Sequence, residues 1–195
     1  IEVIKNNRVT TVQMTPSRLK PVLQFGNKED FANLRNVLVG GEPLTPEVLK
    51  LAQEKTGAKI YNMYGPTETA VWSSIADMTD TEEITIGEPI ANTTFYVLNA
   101  QGAIQPFNVE GELCIGGSGL SAGYKDREDL TKEKFIDNDL LSEKIYKTGD
   151  KVKLTDEIKL RFIGRIDNQI KFRGYRIEVQ DIESNITKYN GIDKC

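Results

Sequence analysis

Val37-Leu38-Val39-Gly40-Gly41-Glu42-Pro43-Leu44-Thr45-Pro46 is the stretch that decides the fold. A short apolar run stops at two glycines, and helix-start chemistry follows at once. Thr45 stands at the N-cap. Pro46 sits in the first turn, where its missing N–H leaves no bond unmade. Val48, Leu49, Leu51 and Ala52 recur at helical spacing, and Gly57 ends the segment. Upstream, Val9 to Met14 is β-branched and reads as a strand. Thr15-Pro16-Ser17 then opens a second helix, with Leu19 and Leu23 on its face. Downstream, Ala58-Lys59-Ile60-Tyr61 makes a third strand. The order β-α-β-α-β predicts parallel strands with right-handed crossovers.

In parallel sheets ligands bind beyond the carboxyl ends of the strands. The special loops of this chain lie there: Gln13-Met14-Thr15, Gly40-Gly41-Glu42, and the segment from Asn62 to Glu68. If the strands are neighbours, these loops line one crevice. The last of them belongs to Tyr61-Asn62-Met63-Tyr64-Gly65-Pro66-Thr67-Glu68. Those residues are the parts needed to hold a nucleotide. A ring can stack on a base and an amide can read its edge. A hydroxyl can bind a phosphate oxygen, and a carboxylate can bind Mg²⁺.

After Glu68 the texture changes. From Ile84 to Phe162 the chain reads as short strands and turns. Phe95–Leu98, Gly111–Ile115, Tyr146–Asp150 and Ile158–Phe162 are strands, with hairpin-like turns at Asn99–Gly102 and Thr155–Glu157. After Arg165, charged residues alternate with Ile170, Phe172, Tyr175 and Ile177. Val179, Ile182 and Ile186 mark a helix face. The expected organisation is a parallel α/β part over 1–83, a β-rich, barrel-like part over 84–166, and a third element over 167–195.

Composition narrows the function classes. With 195 residues the chain can bury a core. Lys and Arg total 25 against 29 Asp and Glu, a net charge of -4, which argues against nucleic acid or an acidic membrane as partner. There is no histidine, so Ser-His-Asp hydrolysis, His-metal sites and a His general base are excluded. Cys114 and Cys195 have no metal-ligand companion, and a reduced, cytoplasmic setting fits best. Ile1 to Thr10 is too charged for a signal peptide, and no apolar run is long enough to span a bilayer. The opening without Met, and the end at Ile192-Asp193-Lys194-Cys195, read as an internal piece of something longer.

At this point the residues carry a family. The chain resembles the adenylation domains of nonribosomal peptide synthetases, within the superfamily of adenylate-forming, AMP-binding enzymes. Five segments match in order: Gly40–Leu44; Asn62–Glu68; Gly111–Gly117 through Gly123-Tyr124; Tyr146–Asp150; and Gly164–Glu178. The resemblance implies an α/β plus β-rich fold. It would be the C-terminal part of the large domain, a parallel layer followed by a distorted β-barrel, and then the start of a small α+β domain. It implies that ATP and an amino acid form an aminoacyl adenylate. The acyl group then passes to the phosphopantetheine thiol of a carrier protein, among neighbouring synthetase domains.

Residue by residue, the resemblance places Gly41, Glu42 and Pro43 at the nucleotide. Asn62 and the Met63 backbone meet the adenine edge, Tyr64 stacks on the ring, and Gly65 makes the turn. Thr67 contacts the α-phosphate and Glu68 binds Mg²⁺. Asp150 holds the ribose hydroxyls, and Arg165 reaches the ribose or phosphate. Asp167 matches the hinge of the small domain, and residues 168–174 the hairpin that enters for the thiol step. Gln13, Val37, Val39, Met63, Val71 and Trp72 would line the amino-acid side-chain pocket, which leans apolar or aromatic. The run Gly117-Ser118-Gly119-Leu120-Ser121-Ala122 partly resembles a dinucleotide fingerprint, but no helix follows to present its N-terminus to a pyrophosphate. It reads as a bend, and it departs from the family at Ala122, where Arg is usual. Lys5, Arg8, Arg18 and Lys20 read as a solvated face.

Other adenylate-forming ligases share parts of this pattern. Pro66 and Gln169 favour the peptide-synthetase type over acyl-CoA synthetases, but leave the D-alanine-activating ligase open. A non-catalytic nucleotide-binding or interaction fragment is the third reading. Two elements that the family needs are missing from the sequence: the Ser/Thr/Gly-rich phosphate loop with its Lys, and the catalytic Lys near the end of the small domain, for which Lys194 is too early. The polypeptide taken alone is therefore expected to show no amino-acid-dependent ATP–pyrophosphate exchange. Exchange at a rate like a whole domain's would refute this.

Overall fold

The computed structural model describes residues 1–172, 175–189 and 192. Arg173, Gly174, Lys194 and Cys195 lie outside the described residues, and with them part of the expected thiol-step hairpin. Helix α1 (Glu2–Asn6) precedes β1 (Thr11–Met14), α2 (Pro16–Phe25), β2 (Asn36–Gly40), α3 (Pro46–Lys55) and β3 (Lys59–Tyr64). The three strands are neighbours in the order β1-β2-β3 and run parallel, with Val12 opposite Val37 and Val39 opposite Asn62. The carboxyl ends of the three strands therefore lie side by side.

Local chemistry builds these elements as read. Thr45 caps α3 by accepting the Val48 N–H at 3.4 Å, and Pro46 follows. Helix α2 is capped differently. The Thr15 side chain makes no cap bond; Glu42, from the loop after β2, accepts the Ser17 N–H at 3.0 Å and the Ser17 hydroxyl at 2.9 Å. A carboxylate at a helix N-terminus is favourable there, and this one ties the first two strand-end loops together. Leu19, Leu23, Val48, Leu49 and Ala52 bury against Val12, Val37, Val39 and Ile60 in one core.

Two antiparallel strands, β4 (Ser74–Asp77) and β5 (Glu88–Pro89), extend this sheet beyond β3. Ser-Ile-Ala-Asp is too short and too mixed to stand out as a strand in the sequence. It exists because the chain turns straight back after Thr67–Thr69. Ser73 N–H donates to the Tyr64 carbonyl at 2.8 Å, and β4 zips along β3.

The second sheet is antiparallel, in the order β10-β9-β7-β6 with β8 also on β9. Its elements are β6 (Thr93–Leu98), β7 (Glu110–Gly117), α4 (Glu128–Lys134), β8 (Phe135–Asn138), β9 (Glu143–Leu154) and β10 (Leu160–Arg165). Leu113, Ile115 and Val152 form its core with Tyr64, which arrives from the end of β3. The turns fall where expected. The Asn99 side chain accepts the Gln101 and Ala103 N–H groups at 3.0 Å each. The sequence reading missed α4 and β8, because Glu128–Lys134 has no apolar stripe and buries no residue. Beyond Arg165, β11 (Ile170–Phe172) pairs antiparallel with β12 (Tyr175–Ile177), and α5 (Val179–Ile186) follows. No helix among the described residues is long and apolar enough to cross a membrane.

Backbone contact at the crevice depends on glycine. A Cβ at Gly40 would stand 2.4 Å from the Met63 carbonyl and 2.7 Å from the Trp72 ring. Gly40→Ala is expected to cost about 1–3 kcal/mol, since an overpacked site must shift backbone as well as ring. Equilibrium urea unfolding measures this; an unchanged midpoint would mean that Trp72 moves aside freely.

Candidate nucleotide site

The strand-end loops and the second sheet enclose a cleft of about 560 Å³. Gly41, Glu42, Pro43, Asn62, Met63, Tyr64 and Gly65 line it from the first sheet, and Asp150 and Arg165 from the second. A smaller cavity of about 250 Å³ adjoins it, with Thr67, Val71 and Trp72 in its wall; Gly41, Gly65, Asp150 and Arg165 border both.

Asp150 is the centre of the arrangement. It lies on β9 and is only 4% exposed. Tyr64 donates its hydroxyl to Oδ2 at 2.5 Å, and Arg165 donates Nη1–H to Oδ1 at 2.7 Å. The backbone N–H of Asp150 bonds to Thr148 Oγ1 at 2.9 Å. Burial, and then the charge of Asp150, push the Tyr64 phenol well above its ordinary 10.0, so it stays a donor. Tyr64 is 8% exposed and meets Phe95 edge-on, with ring centroids 6.5 Å apart, so it is a core residue as well as a cleft wall.

Arg165 uses all three of its side-chain nitrogens. Besides Asp150 it reaches the Thr148 carbonyl at 2.8 Å, and it grips Asp167 with Nε–H to Oδ1 at 2.8 Å and Nη2–H to Oδ2 at 2.5 Å. Burial alone would lower its pKa, but the two carboxylates raise it. Gly149 makes room for this fork: at φ +72, a Cβ there would lie 2.7 Å from Arg165 Nη2 and 2.8 Å from Asp167 Oδ2. Asp167 sits in the turn between β10 and β11, where Oδ1 also accepts the Gln169 N–H at 3.1 Å.

The remaining expected residues fall into different places. The Asn62 amide donates to the Thr85 carbonyl at 2.7 Å, which fixes its plane in the cleft wall. Glu68 is buried and lines neither cavity; Tyr124 donates its hydroxyl to Oε1 at 2.6 Å. Gln13 is exposed, and Val37 and Val39 are wholly buried in the α/β core. These three line neither cavity, a departure from the expected side-chain pocket. The reason is the period of two along a strand: Val37 and Val39 share the face that packs on the helices. Met63, Val71 and Trp72 do border the open space. Val71 is held at φ 77, with Trp72 N–H bonded back to the Ala70 carbonyl at 3.1 Å. A β-branched residue there is strained, and strain of this kind gathers at functional loops.

The structure also brings in residues that sequence reasoning did not assign to the cleft. Ile84, Thr85, Ile86 and Phe162 complete the wall of the larger cavity. Gln169 and Lys171, from the segment expected to enter the site, border both. The alternation of Ile84-Thr85-Ile86 was the available signal. Among the described residues no group of three or more His, Cys, Asp or Glu could hold a metal ion. One carboxylate beside phosphate oxygens is a common way to hold Mg²⁺, but Glu68, the carboxylate expected for it, faces neither cavity.

Asp167 feels burial, which raises its pKa, but the Arg165 fork outweighs it and holds the carboxyl below 3.8. The stability from this pair is therefore present above pH 3.8 and fades as pH falls through the depressed value. Asp167→Asn is expected to lower the urea midpoint at neutral pH, and the difference from the parent should shrink as pH drops below 3.8. A pH-independent difference would contradict the pairing.

Known proteins are similar to this chain in sequence and fold. The AMP-binding enzyme family matches residues 1–125. Gramicidin S synthase 2 of Aneurinibacillus migulanus is 40% identical over 197 residues, which is 100% of this chain and 4% of the synthase. Tyrocidine synthase 3 of Brevibacillus parabrevis is 43% identical over 190 residues, 96% of this chain and 3% of the synthase. The chain thus spans a small part of the relatives it matches. Among solved structures, an NRPS protein containing adenylation and PCP domains, bound to a vinylsulfonamide inhibitor, superposes with a TM-score of 0.91 at 28% identity. It covers 100% of this chain and 35% of that one. A four-domain nonribosomal peptide synthetase bound to AMP and glycine gives 0.79 at 40% identity, covering 99% and 15%. With its fold and more than half of its length matched, the chain belongs to the AMP-binding enzyme family.

Proposed function

We propose that the chain is the adenine, ribose and Mg²⁺ half of an amino-acid-activating adenylation site in a peptide synthetase. One observation carries this reading: the loops after β2 and β3, from one sheet, and Asp150 and Arg165, from the other, border one cleft. In the reaction, a substrate carboxylate oxygen attacks the α-phosphorus of ATP. The bond from that phosphorus to the pyrophosphate oxygen breaks, and pyrophosphate leaves with the electron pair. The aminoacyl adenylate is then a good acyl donor to a phosphopantetheine thiol on a carrier domain.

The protein's own task is positioning and charge. The Asn62 amide, with its plane fixed, faces the base edge, and Tyr64, Ile86 and Phe162 enclose the ring. Asp150 accepts from both ribose hydroxyls, and Thr67 donates to the α-phosphate. Arg165 and Lys171 supply positive charge at the mouth. By likeness to the family, Glu68 would be the carboxylate for Mg²⁺, whose charge would neutralise phosphate; its side chain lies behind the cleft wall against Tyr124. Asp167 is the pivot for the segment that follows. The acceptor carrier and the neighbouring domains are read from the relatives: one solved structure contains adenylation and PCP domains, and another is of a four-domain synthetase.

Asp150→Asn in the whole protein is expected to weaken AMP binding by about 10- to 100-fold, because hydrogen bonds to a charged group contribute about 1.5–3 kcal/mol. Isothermal calorimetry with AMP reads this. Unchanged affinity removes Asp150 from the ribose site, and failure of the parent protein to bind AMP overturns the reading as a whole.

A further inference from the structure

The segment Gly111-Glu112-Leu113 lines neither cavity, yet it is built against the stretch that presents Asp150. Strand β9 leaves the register of β7 at that point. Glu112 stands opposite Lys151 and Cys114 opposite Lys147, so Thr148, Gly149 and Asp150 stand against a single residue, Leu113. This is a bulge in β9. Bulges re-aim side chains beside functional sites, and this one carries the carboxylate at the centre of the cleft.

A bulge takes backbone groups out of the ladder, and each must find another partner. Side chains supply them here. Glu112 Oε1 accepts the Gly149 N–H at 2.9 Å. The Thr148 hydroxyl donates to the Leu113 carbonyl at 2.7 Å, and its oxygen accepts the Asp150 N–H at 2.9 Å. From the other flank, Arg165 donates to the Thr148 carbonyl and the Ile166 N–H to the Gly149 carbonyl, at 2.8 Å each. Gly149 is buried and held at φ +72. A carboxylate that accepts a backbone N–H makes a stronger bond than a neutral acceptor would. Without it, a buried N–H beside Asp150 loses its partner, and the bulge must turn to recover one.

We propose that Glu112 is a positioning residue for Asp150: by holding the Gly149 N–H it fixes the bulge, and with it the angle at which the Asp150 carboxylate meets the ribose hydroxyls. Tyr64 and Arg165 hold the carboxylate oxygens, and Glu112 holds the backbone that carries them. A carboxylate that accepts from two neighbouring hydroxyls at once tolerates little error in its placement; binding groups of this kind work when supporting bonds hold them to within about 0.5 Å. Glu112 acts only through the β9 backbone. The inference rests on the reading of Asp150 as the ribose carboxylate.

The test compares AMP with dideoxy-AMP, which lacks both ribose hydroxyls, by calorimetry on the whole protein. The parent is expected to bind AMP more tightly than the dideoxy nucleotide. Glu112→Ala is expected to weaken AMP by about 3- to 10-fold, the range of one net hydrogen bond, and to leave dideoxy-AMP at the parent value. Glu112→Gln keeps an oxygen acceptor for Gly149 and loses only the charge that lies 3.7 Å from Lys147 Nζ. That pair is partly exposed and contributes little, so Glu112→Gln is expected to bind AMP nearly as the parent does. Equal weakening of both nucleotides by Glu112→Ala, or no weakening of either, overturns the positioning role. So does a Glu112→Gln that loses AMP binding as Glu112→Ala does. A parent that binds both nucleotides alike overturns instead the ribose reading of Asp150, on which the inference rests. Should Glu112→Ala not fold, Glu112→Met, which keeps the stem and drops the carboxylate, is read by the same criteria.

Discussion

Asp150 is where the two sheets are joined, and the cleft depends on it. A carboxylate this deeply buried is costly unless it is paired and its oxygens accept hydrogen bonds. Both conditions are met by residues from different layers: Tyr64 from the end of β3 and Arg165 from the end of β10. Loss of either would leave a buried charge incompletely compensated. The same carboxylate therefore fixes how the sheets meet, sets the width of the cleft, and locks the ring that forms part of its wall.

A second constraint is steric. After β3 the chain must reverse at once so that β4 can pair with it, and the only path passes against strand backbone. At Gly65 a Cβ would meet the Val71 carbonyl at 2.4 Å and the Ser73 N–H nitrogen at 2.6 Å. The turn closes with Ala70 at φ 61 and Val71 at φ 77. That strain is held by Thr69 and Ser73, whose hydroxyls lie 2.5 Å apart, and by β4 pairing beyond them. A relaxed turn would carry Thr67 away from the smaller cavity. Local strain here keeps the loop compact at the edge of the cleft.

The sequence showed a good deal of this. Parallel order and strand ends could be read because Thr45-Pro46 and the apolar alternation are local signals, and local signals survive without the rest of the fold. The convergence of Asp150 on Tyr64 could not be read, since 86 positions separate them and nothing in either segment names the other. The cap of α2 by Glu42 was hidden for the same reason, since the two segments lie 25 positions apart. Val37 and Val39 were placed in the substrate pocket by likeness to the family, but alternation along β2 turns both into the core. Helix α4 went unseen because it buries nothing and so has no period. Glu68 looked like a cleft residue from its position in the loop; its burial beside Tyr124 depends on a segment 56 positions away.

Charge around the cleft bears on how an anionic ligand would be held. Arg165 is already engaged by Asp150 and Asp167, and the chain as a whole is acidic at -4. No broad positive field draws phosphates in, as it would in a protein that binds by electrostatic steering. Under the function proposed, affinity for the nucleoside must come from enclosure of the base and from the ribose bonds at Asp150. The triphosphate would bring negative charge toward a region lined by Glu42, Asp150, the engaged Arg165 and Lys171. Neutralising it needs a cation that arrives with the phosphates, together with a protein carboxylate held still enough to meet it.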